Sequence, residues 1–282
     1  MEKIIQKVAA IHDLSGFGRA SLTTIIPILS TMEIQTCPLP TAVLSTQTSG
    51  FEDYSFIDLT DYMEEHIAHW KKLNLDFDCI YSGFLGSVRQ IQIVSDFVEY
   101  FKRKDNLVVV DPVLGDNGSL YDTMEEEMVC EMKKLVSKAD IITPNFTEAA
   151  FLLGEDCRKN ISEEEIKNWL VRLSELGPKI VIITSVPSNE EEKTVTVMAY
   201  EKEKNLFHKV SSEYIPVSYP GTGDAYTSVV VGVLLQGGTL YQAIKKGADF
   251  IGKCIKSSYK YGYPAREGVL LEKNLKFLRK DF

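Results

Sequence analysis

Short apolar runs rich in β-branched residues recur along the chain, and a helical spacing of apolar positions follows most of them. Several runs are apolar at almost every position, which is typical of strands covered on both faces. Strands that alternate with helices predict an α/β fold, a three-layer α/β/α sandwich around a mostly parallel central sheet. The predicted core strands are Lys7–His12, Ile34–Pro38, Cys79–Ser82, Leu107–Val110, Asp140–Ile142 and Ile180–Ile183.

Helical periodicity is clearest in two segments, Leu59–Trp70 and Ser162–Leu176. In the second segment, Ser162 and Glu165 have the spacing of a capping box, which marks a helix N-terminus. A third segment, Ala225–Leu235, is apolar on nearly every side. Such a pattern predicts a helix buried within the protein rather than one lying on its surface.

The last part of the predicted sheet has a different pattern. Lys193–Tyr200 and Asn205–Ser212 alternate between apolar and polar residues around a charged turn, Glu201–Lys204, which predicts a late antiparallel hairpin. Ser188–Lys193 is predicted to be a charged surface loop. Because no linker, repeat or low-complexity segment interrupts the pattern, we expect one domain over residues 1–282.

Composition and charge restrict the classes of function. With 44% apolar and 25% charged residues the chain is typical of a globular protein, and its net charge of −9 disfavours non-specific binding to nucleic acid. No run of 18 apolar residues and no signal-peptide pattern is present, so we expect no membrane partner. Five scattered cysteines without a CxxC pair predict free thiols and a cytoplasmic location.

The segment Pro220–Tyr226, PGTGDAY, leads directly into the predicted buried helix. Its residues Gly221, Thr222 and Gly223 would place backbone N–H groups at the N-terminus of that helix, where the helix dipole favours an anion. The carboxylate of Asp224 stands beside this anion hole and can accept a proton. An anion site next to a proton acceptor indicates phosphoryl transfer to an alcohol.

Further polar motifs follow predicted strands, and ligands of open α/β sheets bind beyond the carboxyl ends of strands. In DPVLGDNG, Asp111 and Asp116 could hold Mg²⁺ through water, or they could simply open and close a turn. In TPNFTEA, Asn145 and Glu148 lie three positions apart and could reach one hydrated metal ion. A capping box would explain the same spacing, so both alternatives stay open.

Two further motifs are less specific. The segment His12–Ser21, HDLSGFGRAS, offers the polar side chains of Asp13 and Ser15 to a ligand, although glycine-containing turns between a strand and a helix are common. Thr184 and Ser185 follow an apolar run with two hydroxyl groups. Contact with a nucleotide and simple termination of the strand explain this pair equally well.

The order of DPVLGD, TPNFTE, ITS and PGTGD resembles the ribokinase superfamily, specifically its vitamin-kinase branch of pyridoxal (pyridoxine, pyridoxamine) kinases. The resemblance spans the whole chain. It implies a ribokinase-like fold and an ATP-dependent transfer of phosphate to the 5′-hydroxymethyl group of a pyridoxal-type substrate. It also implies ATP and Mg²⁺ as cofactors, a monovalent cation such as K⁺ or Na⁺, and a homodimer.

The resemblance further implies roles for individual residues. Asp224 would accept the proton of the substrate hydroxyl, and the amides of Gly221, Thr222 and Gly223 would stabilise charge on the transferred phosphoryl group. At the ordinary aspartate pKa of about 3.9, Asp224 would be ionised at neutral pH and would be a weak base. The residues assigned to ATP are Asp111, Asn145, Glu148, Thr184, Ser185 and Thr222, and those assigned to the metal are Asp111, Asp116 and Glu148. The residues assigned to the substrate are Asp13, Ser15, Thr41, Thr48, Phe84 and Asp224.

Two departures from the pattern bear on the substrate. Pyridoxal kinases usually have serine in place of Asp13 and an SNHT-like segment in place of Ser45–Thr48, whereas HDLSGFG is similar to the SDxSGGAG segment of hydroxymethylpyrimidine (phosphate) kinases of thiamine synthesis. Those kinases typically have cysteine in place of Asp224. The carboxylate of Asp224 therefore favours pyridoxal-type substrates, with hydroxymethylpyrimidine as the alternative and a non-catalytic vitamer-binding protein as a second alternative.

Overall fold

The predicted alternation of strands and helices is confirmed in the computed structural model, which describes residues 4–158, 160–187 and 194–279. The predicted surface loop Ser188–Lys193 lies outside the described residues. Nine strands form one sheet in the order β11-β10-β9-β8-β5-β4-β1-β2-β3, and β6 pairs with β7 in a separate two-stranded sheet. The strands are β1 Gln6–Ser15, β2 Ile34–Leu44, β3 Phe56–Asp58, β4 Cys79–Ser82, β5 Leu107–Val110, β6 Gly115–Asp116, β7 Ser119–Leu120, β8 Ile141–Ile142, β9 Ile180–Val186, β10 Thr194–Glu201 and β11 Leu206–Glu213.

The pairing of the strands confirms a mostly parallel sheet with a few antiparallel strands. β1 pairs with β2 in parallel, as β8 does with both β5 and β9. The late hairpin is confirmed, because β10 pairs antiparallel with β11 and also with β9. At the other edge the short strand β3 pairs antiparallel with β2. Eight α-helices lie in the described part of the chain, namely α1 Leu22–Thr31, α2 Thr60–Lys72, α3 Val88–Phe101, α4 Glu126–Val136, α5 Phe146–Leu153, α6 Glu163–Glu175, α7 Thr222–Leu235 and α8 Leu240–Lys260.

The chain divides into two compact units, one made of residues up to Ile80 together with those from Ile215 onward, and the other of Tyr81–Tyr214. One domain over residues 1–282 stays a prediction. In the first unit, α1 and α8 pack against α7. Every residue from Ala225 to Val233 of α7 is buried, which confirms the predicted buried helix. The helix begins at Thr222, three residues before the predicted start, because Gly221 takes the N-cap position.

In the second unit, α5 and α6 pack against β9, and the rings of Phe146 and Trp169 stack at 5.1 Å between centroids. The predicted capping box at the start of α6 is confirmed, since Ser162 accepts the N–H of Glu165 and the Glu165 side chain accepts the N–H of Ser162. None of the five cysteines is part of a disulfide bond, as predicted. No helix among the described residues has the length and hydropathy needed to cross a membrane.

Three predicted strands end too early. β1 continues to Ser15, β2 to Leu44 and β9 to Val186. The residues that follow each predicted end belong to the strands themselves, because the backbone pairing continues through them. At the end of the first pair, for example, Gly16 N still donates to Leu44 O at 2.8 Å.

Candidate functional site

The N-terminus of α7 is built on one glycine. Gly221 has φ 76°, and a Cβ atom there would lie 2.1 Å from the carbonyl oxygen of Arg19. No side chain can occupy that position, so the backbone before α1 packs directly on the turn before α7. The first hydrogen bond within α7 joins Ala225 N to Gly221 O at 3.0 Å. The N–H groups of Thr222 and Gly223 therefore have no partner within the helix, as an anion site requires.

Gly223 marks the open side of this turn. Gly223 is exposed to solvent, and a Cβ atom added to it would meet no atom within 4 Å. Thr222 directs its hydroxyl back to the carbonyl oxygen of Tyr219 at 3.0 Å, which holds the turn closed behind the N–H groups. The turn of the predicted anion hole thus has free space beside Gly223 and is held on its other side by the Thr222 hydroxyl.

Asp224 is the third residue of α7, and 15% of its side chain is exposed. Its Oδ2 atom accepts the N–H of Ser21 at 2.8 Å, and its Oδ1 atom lies 3.8 Å from Nδ1 of His12. Burial raises the pKa of Asp224 to about 7; the bond from Ser21 opposes this rise, and the charge of Asp13 adds to it. The prediction of an ordinary aspartate pKa was therefore wrong. The carboxyl group titrates near neutrality, where a general base is most effective.

Asp13 lies on β1 close to this carboxylate and is 7% exposed. It accepts two hydroxyl hydrogen bonds, from Ser15 Oγ to Oδ2 at 3.0 Å and from Ser21 Oγ to Oδ1 at 2.5 Å. Burial raises the pKa of Asp13, while both hydroxyl bonds lower it. The first unit therefore contains a base cluster, defined as His12, Asp13, Ser15, Ser21 and Asp224.

A register shift in the sheet accompanies the base cluster. His12 pairs with Pro40 but Leu14 pairs with Val43, so β2 has one extra residue opposite Asp13. Such a bulge bends the strand and redirects a side chain. The predicted substrate residue Thr41 lies in this bulge and is fully buried. Thr48, the other predicted threonine, is exposed.

The second unit holds a carboxylate cluster, defined as Asp111, Asp116, Asn145 and Glu148. Glu148 is 3% exposed and Asp111 is 6% exposed. Burial, and after it the charge of Asp111, raises the pKa of Glu148 well above its usual range, with a smaller contribution from the exposed Asp116. These carboxylates are therefore close enough to repel one another.

The capping alternative for Asn145 and Glu148 is confirmed. Oδ1 of Asn145 accepts the N–H of Glu148 at 2.9 Å, and Oε2 of Glu148 accepts the N–H of Asn145 at 2.8 Å. The other oxygen of Glu148, Oε1, accepts the N–H of Leu114 at 3.2 Å. The capping box thus holds α5 against the turn that contains Asp111 and Asp116.

Asp116 lies in the small hairpin of β6 and β7, which sequence reasoning treated only as a turn. Asn117 at φ 53° and Gly118 at φ 84° form its two central residues. An Asn-Gly pair is the usual signal for a tight hairpin and could have predicted it. Asn145 Nδ2 donates to Gly115 O at 2.8 Å, and Gly118 N donates to Thr147 Oγ1 at 3.0 Å, so the hairpin is fixed to the start of α5.

Three further residues of this unit were predicted to contact ATP or the substrate, and they lie at different places in it. Thr184 is within β9, where its N–H donates to Pro144 O at 2.9 Å beside Asn145. Ser185 is exposed with φ 55°, and Phe84 is half-buried in the loop after β4. Thr184 is thus adjacent to the carboxylate cluster.

Among the described residues, no group of three or more His, Cys, Asp or Glu side chains converges as a preformed metal cage. Mg²⁺ seldom uses such a cage, because it retains waters and binds through one or two carboxylates together with substrate phosphates. Two buried carboxylates that repel each other fit an ion of this kind. Asp111 and Glu148 are the residues that would hold it.

Comparison with known proteins gives a consistent result. A family model for phosphomethylpyrimidine kinase matches residues 20–268. A Bacteroides thetaiotaomicron protein, provisionally named a phosphomethylpyrimidine kinase and crystallised with pyridoxal, is 52% identical with a TM-score of 0.95, over 99% of this chain and 97% of that one. Pyridoxal kinase from Lactobacillus plantarum is 29% identical with a TM-score of 0.89, over 98% of this chain and 97% of that one. Human pyridoxal kinase is 29% identical over 225 residues, 68% of this chain and 69% of its own length.

The fold and these similarities define an enzyme with kinase activity. More specifically, the chain belongs to the phosphomethylpyrimidine kinase family. The resemblance inferred from the order of the motifs is confirmed.

Proposed function

We propose that this chain is an ATP-dependent kinase that phosphorylates the 5′-hydroxymethyl group of pyridoxal, pyridoxine or pyridoxamine, as in vitamin B6 salvage. The observation that carries the proposal is Asp224, a carboxylate with a pKa of about 7 at the N-terminus of α7. The similarity to a protein crystallised with pyridoxal, at 52% identity, supports the choice of substrate.

In the proposed reaction, Asp224 accepts the proton of the substrate hydroxyl while the oxygen attacks the γ-phosphorus of ATP. The bond from that phosphorus to the β,γ-bridging oxygen breaks, and ADP leaves with its electron pair. The N–H groups at the start of α7 stabilise the negative charge on the transferred phosphoryl oxygens. Little covalent chemistry is required of the protein, so orientation of the alcohol and neutralisation of charge supply most of the rate enhancement.

The carboxylate cluster is proposed to serve the nucleotide. Asp111 and Glu148 would hold a hydrated Mg²⁺, with Asp116 and Asn145 at its edge, and Thr184 and Ser185 would contact ATP. Mg²⁺ neutralises phosphate charge and orients the nucleotide when it is bound. The monovalent cation, the homodimer, the single domain and the cytoplasmic location, all predicted from the sequence, remain part of this proposal.

Hydroxymethylpyrimidine is the second candidate substrate. It is favoured by the family that matches the chain and by the buried Asp13, which occupies the position where pyridoxal kinases usually have serine. Both candidates are flat nitrogen heterocycles with a hydroxymethyl group, so the same base cluster suits either one. A non-catalytic binding protein would require neither a base with a raised pKa nor an open helix N-terminus beside it.

An assay of ATP consumption with pyridoxal, pyridoxine, pyridoxamine and hydroxymethylpyrimidine tests the proposal. We expect kcat/KM to be highest for one of the three pyridoxal vitamers, with product formation confirmed by detection of the 5′-phosphate. A higher kcat/KM for hydroxymethylpyrimidine would replace the first candidate by the second. Binding of the vitamers without any ATP turnover would support the non-catalytic alternative.

Replacement of Glu148 by glutamine tests the role of the carboxylate cluster. The variant is expected to raise the Mg²⁺ concentration for half-maximal activity by roughly 10–100-fold, the range for residues that support a metal site. Glu165→Gln is the matched control, because Glu165 holds the same capping-box position at the start of α6 and 44% of its side chain is exposed. An unchanged Mg²⁺ requirement in Glu148→Gln would remove Glu148 from the proposed metal site.

A further inference from the structure

Ser21 connects two carboxylates that lie on different elements. Its hydroxyl donates to Oδ1 of Asp13 on β1 at 2.5 Å, and its backbone N–H donates to Oδ2 of Asp224 on α7 at 2.8 Å. Asp13 is 7% exposed, and its second oxygen accepts the hydroxyl of Ser15 at 3.0 Å. Both oxygens of Asp13 are thus directed to protein hydroxyls, and one of these bonds leads through a single residue to Asp224.

The backbone of Ser21 has a conformation that serine rarely adopts, with φ 48° and ψ −132°. Residues other than glycine are held in such regions only where the surrounding structure imposes it. Ser21 also occupies the N-cap position of α1, where a serine side chain normally accepts a helix N–H. It makes no such bond and is directed to Asp13 instead. Ser21 thus has neither the backbone conformation nor the capping bond that serine prefers at this position. Its hydrogen bonds with Asp13 and Asp224 are formed instead.

The segment before Ser21 is fixed from two sides. A Cβ atom added to Gly221 would lie 2.1 Å from the carbonyl oxygen of Arg19, and one added to Gly268 would lie 2.8 Å from the same oxygen. The N–H of Arg19 donates to Glu267 O at 3.1 Å. Ser21 is therefore held by its neighbours in the chain as well as by Asp13, and its N–H has little freedom to move away from Asp224.

We infer that Asp13 is a positioning residue, which holds the Asp224 carboxylate in place through Ser21 rather than through contact with the substrate. We call the two bonds, Ser21 Oγ to Asp13 Oδ1 and Ser21 N to Asp224 Oδ2, the serine clamp. The inference rests on the proposed function, in which Asp224 is the general base. It gives a role to the aspartate that departs from the pattern of pyridoxal kinases.

The titratable groups that face Asp224 are His12 and Asp13 from β1, and the N–H of Ser21 reaches it from the segment before α1. The negative charge of Asp13 contributes to the raised pKa of Asp224. Asparagine at position 13 would remove this charge and still accept the hydroxyl of Ser21 through Oδ1, while its amide could donate to Ser15 Oγ. Alanine would remove the charge and also the bond from Ser21 Oγ, which is one of the two bonds of the clamp.

The experiment measures kcat and KM for ATP and for pyridoxal from about pH 5 to 9 in Asp13→Ala, Asp13→Asn, Ser21→Ala and the double variant Asp13→Ala/Ser21→Ala. We expect Asp13→Ala and Ser21→Ala each to lower kcat by about 10–100-fold, since displacement of a catalytic group by about 1 Å costs this much. The double variant should be no worse than the single ones, because both remove one clamp. Asp13→Asn should keep most of kcat and shift the rise of kcat/KM with pH to lower pH.

Ser258→Ala is the matched control for loss of a buried serine hydroxyl. The hydroxyl of Ser258 donates to Cys254 O and accepts the N–H of Leu270, both within the same unit as the clamp. This variant is expected to lose thermal stability and to keep the kcat and pH profile of the wild type. Thermal denaturation of every variant identifies those that fail to fold. If the alanine variants fail to fold, Asp13→Asn still tests the inference through its kcat and its pH profile.

The outcomes separate this inference from the proposed function. If Asp13→Ala raises KM for pyridoxal with kcat unchanged, and Ser21→Ala has no effect, Asp13 contacts the substrate and the inference is overturned. Additive losses in the double variant, or equal losses in Asp13→Asn and Asp13→Ala without a shift of the pH profile, also overturn it. If Asp224→Asn is fully active, the proposed base is wrong, and the clamp has no catalytic group to position.

Discussion

Replacement of Asp224 by asparagine is expected to lower kcat by about 10²–10⁴-fold, the usual contribution of a general base. KM for the substrate and for ATP should change little, because asparagine has the same shape and its Oδ1 can still accept the N–H of Ser21. In the wild type kcat/KM should rise with pH around an apparent pKa of about 7, since the carboxyl must lose its proton before it can act as the base. This rise should disappear from the residual activity of the variant.

The stability of the same variant provides the control against a folding defect. In the folded protein Asp224 has a pKa raised from 3.8 to about 7, so the folded state binds the proton more tightly than the unfolded state. Wild-type stability therefore falls as the pH rises from about 4 to about 7. Asparagine does not ionise, so above pH 7 we expect Asp224→Asn to be more stable than the wild type by about 1–3 kcal/mol.

Urea denaturation at acidic and at mildly alkaline pH measures this difference. A variant that is inactive and also less stable at every pH would mean that Asp224 serves the fold rather than the reaction. A variant with near-wild-type turnover would exclude Asp224 as the base. The expected combination, lower activity with higher stability, is the usual result when a strained or buried catalytic group is removed.

Replacement of Gly221 by alanine is expected to have the second large effect. Alanine is strained at φ 76°, and its Cβ would lie 2.1 Å from the backbone oxygen of Arg19, which cannot rotate away as a side chain could. Strain and overpacking together should lower the free energy of unfolding by about 2–5 kcal/mol. Any shift of the turn moves the N–H groups and Asp224 together, so kcat should fall by about 10²-fold in the folded fraction.

Gly223→Ala is the matched control, two residues along the same turn. A Cβ at Gly223 meets no atom within 4 Å, and Gly223 already lies within α7. Its stability should change by no more than about 1 kcal/mol, in the direction of a gain, because alanine favours a helix over glycine. Equal stability of the two variants would contradict the close packing of Arg19 on Gly221. Thermal denaturation and steady-state kinetics on both proteins make the comparison.

Much of the fold could be predicted because strong patterns carry it. The strands β4 and β5 are short and mostly apolar, each follows a polar residue, and their predicted ends agree with the structure. The hairpin of β10 and β11 could be predicted because apolar and polar residues alternate along both strands and a charged turn joins them. The strand β3 was missed because its three residues are too few to show the alternation that marks a strand.

The site was predictable to the extent that short motifs determine local geometry. Glycine before Asp224 indicated the turn, and the apolar run after it indicated a buried helix; both are confirmed. The spacing of Asn145 and Glu148 indicated a capping box, which is also confirmed. The role of Ser21 could not be inferred, because its partners Asp13 and Asp224 are 8 and 203 residues away along the chain.

The sequence by itself determined the α/β class and the family, and it led to the proposal of Asp224 as the base, because these depend on the order of residues and on local spacing. Only the tertiary structure decided that Asp224 titrates near pH 7, that β1 and β2 continue past their apolar runs, and that Ser21 joins two carboxylates. Desolvation, strand pairing and long-range hydrogen bonds arise from neighbours in space. No local pattern records them, since those neighbours are brought together only when the chain folds.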